Sequence, residues 1–405
     1  MDPRILLCLC HMSGKELDFI QEAIDENWVV PLGPNVTGFE KDLEKFFSEN
    51  RAVQKEIERK FGSQFYRELN EKRIVALSSG TAAIHLGLAG LGVERGDEVI
   101  VQSFTFSASA NPVVYLGATP VFVDSEKETW NIDPELLETA IKDRIEKTGR
   151  KPKAIIPVHL YGMPAQMDKI LDVADKWEIQ VLEDAAEAFG SEYNGVKCGL
   201  FGRFGALSFN GNKMITTSGG GALICPTPEE AARIIKYATQ SREPYPWYQH
   251  EEIGYNYRLS NISAGIGRGQ MTIAEQHIAH HRKIQNLYKE KFAGASGIIL
   301  HENPGPEFDS NFWLCTITLN HGIKIKGDDG CGAPEALRRI LDKENIESRH
   351  LWKPMHLQPV FSDAPAYING TSESLFERGL CLPSGPWVGE KEVEKISRTI
   401  LSAIY

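Results

Sequence analysis

The chain has 405 residues, of which 42% are hydrophobic and 24% charged, and carries a formal net charge of -11 with a pI near 5.6. That length supports two or three domains around a large core. The acidic balance excludes capture of nucleic acid by a broad positive surface, so an anionic ligand needs a local site.

In chain order, the apolar stretch Ile5 to Cys10 is too short to span a membrane and lacks the basic start of a signal peptide. It reads as a chain start in the cytoplasm, within an N-terminal segment of residues 1–30. Arg51 to Arg73, dense in Lys55, Glu56, Glu58, Arg59 and Lys60, predicts a solvated helix without chemistry. From about residue 74 to 245 short apolar runs alternate with helical patterns. The predicted strands are Ile74 to Leu77, Glu98 to Val101, Thr119 to Val123, Ala154 to Val158, Gln180 to Glu183, Ala206 to Phe209 and Ala222 to Ile224. The predicted helices between them are Thr81 to Gly90, Pro134 to Lys147, Met167 to Trp177 and Pro228 to Ser241. This alternation specifies an α/β layer with a largely parallel sheet and sites at strand ends. After roughly residue 255 the pattern becomes a long helix at Asn261 to Phe292, a strand at Leu314 to Leu319, a helix at Pro334 to Asn345 and a closing helix at Lys391 to Ile404, a smaller α+β unit. The seven cysteines fit neither a disulfide framework nor a paired zinc spacing and read as buried reduced thiols.

Three segments carry chemistry. Leu77-Ser78-Ser79-Gly80-Thr81 leads from a strand through a glycine turn into an apolar helix. Such a turn aims backbone N–H groups at one spot where the helix dipole favours a phosphate, although the same residues also read as a simple N-cap. Val181 to Glu187 is a buried strand ending in acids, which need a cation or a protonated ring as partner, or else form a cap or bind magnesium. Ala206-Leu207-Ser208-Phe209-Asn210-Gly211-Asn212-Lys213 places one lysine at a strand end, followed by small residues from Thr216 to Gly221 that admit close backbone approach. Neither a Walker loop nor a dinucleotide pattern is present, and a lone loop lysine is ordinarily solvated. A phosphate turn, a strand-end aspartate and a strand-end lysine, in that order on one sheet, are together what a pyridoxal-phosphate site needs.

With these segments stand Gly33-Pro34-Asn35, Gly96-Asp97-Glu98-Val99, Ser103-Phe104-Thr105-Phe106, Pro120-Val121-Phe122-Val123-Asp124 and Val158-His159-Leu160-Tyr161-Gly162. Through them the chain resembles the DegT/DnrJ/EryC1/StrS family of pyridoxal-phosphate-dependent nucleotide-sugar aminotransferases over nearly its whole length. The resemblance implies the fold-type I architecture: a large, mostly parallel sheet domain with helices on both faces at residues 31–255, and a smaller α+β C-terminal domain at 256–405. It implies that Lys213 bears the cofactor and moves protons, and that Asp184 pairs with the pyridine nitrogen. Gly80, Thr81 and Ser208 would hold the phosphate, Phe106 would stack on the ring, and Asn256 would reach the phosphate from the neighbouring subunit of a homodimer. Glu187 departs from the family pattern, which has glutamine or histidine beside the cofactor's phenolic oxygen; it is kept among the cofactor-binding residues with its role open. His159 reads as a satisfied core histidine.

The runs Ser208 to Lys213, Thr216 to Gly221 and Trp352 to Pro359 resemble the branch that aminates C4 of 4-keto-6-deoxy sugars on UDP, implying UDP-2-acetamido-4-keto-2,4,6-trideoxyhexose as substrate, glutamate as donor and surface polysaccharide synthesis as the setting. Arg258, Lys353 and His356 are candidate contacts to diphosphate and sugar, and no metal, nucleic acid or membrane is expected. Two rivals are a same-family sugar dehydratase, which resembles this chain with histidine in place of Lys213, and a non-catalytic regulator that keeps the fold.

Overall fold

The computed structural model describes residues 3–48, 58–62, 69 and 71–405; the helix expected at Arg51 to Arg73 falls largely outside them. Before the main sheet come helices α1 (Glu16–Asp25) and α2 (Pro34–Ser48). The sheet is built from β1 (Arg73–Leu77), β2 (Glu98–Gln102), β3 (Thr119–Val123), β4 (Ala154–Ile156), β5 (Gln180–Asp184), β6 (Phe204–Ser208) and β7 (Gly221–Cys225). In β1, β2, β3 and β5 every residue but the first is buried, as a sheet covered on both faces requires.

Helices α3 (Gly80–Gly90), α4 (Pro134–Thr148), α5 (Met167–Trp177) and α6 (Pro228–Ala238) connect these strands. Local chemistry fixes where they start and stop. Asp133 accepts from the Glu135 and Leu136 N–H groups ahead of Pro134, and Gly149 ends α4 in a left-handed conformation with φ 71°. Thr227 caps α6 in the same way through the Glu230 N–H. Residues Ala82 to Leu88 of α3 are all buried, so this helix is wedged inside the domain and its N-terminus is held in place.

In the C-terminal part are α7 (Asn261–Met271), α8 (Ala274–Phe292), β8 (Ile298–Leu300), β9 (Cys315–Leu319), α9 (Ala333–Lys343), β10 (Arg349–His350), β11 (Ala366–Tyr367), β12 (Gly379–Leu382) and α10 (Glu390–Ala403). The large sheet has the order β1-β7-β6-β5-β4-β2-β3-β11. All its pairings are parallel except those of β7, which runs antiparallel to both β1 and β6. Consequently β1, β5 and β6 end on the same edge. A second, antiparallel sheet has the order β8-β9-β12-β10.

The single helix expected at Asn261 to Phe292 is two. Ile273 leaves the helical region at φ -126° and ψ 9°, and the Thr272 hydroxyl donates to the Gly269 carbonyl at 2.7 Å, closing α7 before α8 begins. All seven cysteines are free, with Cys10 and Cys331 half-buried and the others buried. Among the described residues no helix is long and apolar enough to cross a membrane.

Candidate active site

The shared edge of β1, β5 and β6 opens onto a cavity of about 430 Å³, lined among others by Gly80, Thr81, Phe106, Asp184, Glu187, Ser208 and Lys213. Seven of the residues singled out from the sequence thus meet in one place. Each is delivered by a strand end or the turn after it.

At the first corner, Ser79 is the N-cap of α3 and its hydroxyl accepts from the Ala82 N–H at 3.0 Å. The cap reading holds and leaves the anion reading open to the same turn, because the helix leaves the Gly80 and Thr81 N–H groups without an intrahelical partner. The fit is close: a Cβ on Gly80 would lie 3.0 Å from Ser208 Cβ and 3.3 Å from its Oγ. Two free N–H groups at a helix N-terminus beside a hydroxyl suit a phosphate.

At the second corner Asp184 ends β5, buried, and accepts from the Ser109 hydroxyl at 2.6 Å and the Ala186 N–H at 3.1 Å. The Thr105 hydroxyl stands 2.7 Å from that of Ser109. Nothing cationic in the described residues is paired with Asp184, so the carboxylate suits a protonated ring nitrogen. Phe106, 53% exposed, meets Trp352 edge to face at 4.6 Å and offers an apolar face for a planar ring.

The third corner is Lys213. Its Nζ lies 3.4 Å from Glu187 Oε1 and 4.0 Å from the centroid of the Trp313 ring. Glu187 Oε2 accepts from the Tyr161 N–H at 2.7 Å, and Tyr161 holds φ 55°, a left-handed conformation that costs a bulky residue energy. Burial pushes the Glu187 carboxyl above its ordinary range, opposed in part by Lys213 and by the Tyr161 N–H. An amine, an aspartate and a phosphate turn are the donor set that pyridoxal phosphate demands, and these residues fit it.

Other residues sit elsewhere. His159 is buried, with Nδ1 accepting from the Ala165 N–H at 3.0 Å, so its proton lies on Nε2, which donates to Glu183 at 2.8 Å. The three candidate substrate contacts do not line the cavity. Arg258 is committed to Glu40 at 2.8 Å and the Ala76 carbonyl at 3.1 Å, and His356 to Ser103 at 2.6 Å and Glu373 at 3.1 Å; Lys353 is exposed. All three thus answer to structure or solvent within this chain. Asn256 is exposed and also outside its own chain's cavity. Residues that sequence reasoning missed as site residues are Trp313, Arg349 and Trp352, which line the cavity from the C-terminal part. Of the run Trp352 to Pro359, Trp352 lines the cavity.

A family model for the DegT/DnrJ/EryC1/StrS aminotransferases matches residues 54–401. The chain belongs to that family. EpsN of Bacillus subtilis strain 168, assigned as a pyridoxal phosphate-dependent aminotransferase, is 42% identical over 99% of this chain and 96% of its own. The GDP-perosamine synthase of Caulobacter vibrioides is 33% identical over 97% and 96%. A DegT/DnrJ/EryC1/StrS aminotransferase from Brucella abortus, a crystal structure, superposes with a TM-score of 0.82 at 29% identity, covering 96% of this chain and 95% of that one. The DegT/DnrJ/EryC1/StrS membership makes this chain a pyridoxal-phosphate-dependent sugar aminotransferase with the fold-type I architecture.

Proposed function

We propose that this aminotransferase moves the amino group of glutamate onto the C4 keto carbon of a nucleotide-linked 4-keto-6-deoxy sugar, with UDP-2-acetamido-4-keto-2,4,6-trideoxyhexose the first substrate to test, in the cytoplasm and for surface polysaccharide synthesis. The observation that carries the reading is the convergence of Lys213, Asp184 and the Gly80 turn on one cavity. Pyridoxal phosphate, when bound, supplies an electron sink for the carbanion formed next to nitrogen.

This chain's own residues do the rest. Lys213 is the attachment point, and its amine, once released, carries the proton from one carbon to the other as base and then acid. Asp184, steadied by Ser109, keeps the ring nitrogen protonated. Gly80, Thr81 and Ser208 would bind the phosphate, Phe106 would cover the ring, and Glu187 stands beside Lys213. Asn256, exposed and outside the lining of its own cavity, serves the site of a second subunit in a homodimer. A lysine at position 213 favours transfer over the dehydratase alternative.

Borohydride reduction of the purified, coloured protein should fix the cofactor on the peptide containing Lys213; modification of another lysine overturns the assignment. A panel of UDP- and GDP-linked 4-keto sugars with glutamate, with product stereochemistry read by NMR, tests the substrate. GDP is the second reading, favoured by the likeness to a GDP-perosamine synthase. Mixing Asn256→Ala and Lys213→Ala subunits under exchanging conditions should restore activity that neither has alone. No recovery counts against the shared site.

A further inference from the structure

Lys213 is gripped by residues that arrive from the opposite side of the cavity. Trp313, 2% exposed, donates its Nε1–H to the Asn212 carbonyl at 2.6 Å while its ring face sits 4.0 Å under Lys213 Nζ. One side chain therefore holds both the backbone before the lysine and the amine at its tip. The Trp313 backbone is itself fixed, because its main-chain N–H donates to Asn311 Oδ1 and its carbonyl accepts from the Ser384 hydroxyl, each at 2.8 Å.

Helix α8 ties the two segments together. His277 and His281 lie one turn apart on the same face and are both buried. Nδ1 of His277 donates to the Met214 carbonyl at 3.1 Å, and Nδ1 of His281 to the Phe312 carbonyl at 3.2 Å. Because a carbonyl only accepts, each ring carries its proton on Nδ1, and neither Nε2 has a hydrogen-bond partner among the described residues. Burial pushes both imidazoles down, His281 to about 3, so they keep this neutral tautomer at ordinary pH. The residue after Lys213 and the residue before Trp313 hang from the same helix.

We propose that Trp313 is a positioning residue for Lys213, seating the free amine on its ring face and pinning the Asn212 backbone, while His277 and His281 hold the two segments in register. The inference rests on Lys213 being the cofactor lysine. A lysine released in mid-cycle is a flexible chain with many rotamers to lose. An aromatic face attracts the ammonium, and with Glu187 Oε1 at 3.4 Å it gives the amine one resting place from which to return the proton.

The test uses full-length Trp313→Phe, which keeps a ring face and loses the Nε1–H, and Trp313→Leu, which loses both. Two quantities are read: kcat against KM in the sugar amination, and the rate at which cyanate modifies Lys213 in the cofactor-free chain, followed by peptide mass spectrometry. The expected kcat falls are about threefold in the phenylalanine variant and about tenfold or more in the leucine variant, with KM for the nucleotide sugar within about twofold. Cyanate should modify Lys213 faster in the leucine variant. A leucine variant with wild-type kcat, or one whose KM rises while kcat holds, overturns the proposal, the latter by making Trp313 a substrate contact. Cyanate reactivity is read without cofactor, so it stands apart from borohydride trapping: failed trapping at Lys213 refutes the lysine assignment, whereas unchanged cyanate rates refute the seat.

Discussion

Glu183 and Glu187 stand near the end of the same strand, both buried, and they could hardly be served more differently. Glu183 accepts from His159 Nε2 at 2.8 Å, the Gly199 N–H at 2.8 Å and the Gly202 N–H at 2.6 Å. Glu187 has one short bond, from Tyr161, and a long one from Lys213 at 3.4 Å. A carboxylate held by three donors knits β5 to its neighbours. A carboxylate with spare capacity, facing a cavity and a lysine, is able to exchange a proton. Burial alone does not separate these two acids; the donor count does.

The comparison breaks most visibly at Lys213. Lys213→Ala should lower turnover by about 10³-fold or more, with the urea unfolding midpoint close to that of the parent, because the amine's partners gain access to cavity water. Residual activity above a tenth of the parent's would place the proton carrier elsewhere. On the structural side, Glu183→Ala strands three buried N–H donors and should cost about 3–5 kcal/mol of stability, read as a lower urea midpoint in the cofactor-free protein. If that variant unfolded like the parent but lost activity, the division between the two acids would be reversed.

How far the sequence carried is visible in the same residues. The strand-end features were legible: Asp184, Lys213 and the Gly80 turn each close an apolar run, and a covered sheet collects its strand ends at one edge. Bounds were good to a residue or two wherever a cap or glycine marks them, as at Asp133 and Gly149. The break at Thr272–Ile273 escaped because no proline or glycine stands at those two positions and the hydroxyl bond that ends α7 is a three-dimensional fact. The pairing of Arg258 was not legible, because its charge is visible in the sequence while its partner Glu40, far earlier in the chain, is not. Trp313 and Arg349 were missed for the converse reason, since only tertiary packing brings the C-terminal part over the cavity. His159 was legible as a core residue, yet the glutamate that pairs with it was read among the acids of the site's strand.

A milder change sharpens the contrast from the functional side. Glu187→Gln keeps an oxygen for the Tyr161 N–H, so the strained turn at Tyr161 survives, but the side chain no longer carries a proton or a charge. Turnover should fall about 10- to 100-fold while the urea midpoint at neutral pH stays equal or rises. A drop in stability comparable to that of Glu183→Ala would show Glu187 to be a structural acid after all.

The smallest effect is the pH dependence of that same pair of proteins. Burial raises the Glu187 carboxyl in the folded chain above its unfolded value, so the folded state binds this proton more tightly than the unfolded one. Its contribution to stability is complete below the ordinary carboxylate range, near about 4, and is lost as pH rises through the raised folded value. The parent, cofactor-free, should therefore lose stability relative to Glu187→Gln as pH increases from about 4, with a slope of at most about 1.4 kcal/mol per pH unit for one proton, levelling off once the folded carboxyl is ionised. Urea unfolding of both proteins across that range reads the difference directly. Parallel curves would mean that Lys213 and the Tyr161 N–H together offset the burial, and the spare capacity that sets Glu187 apart from Glu183 would then not reach its proton.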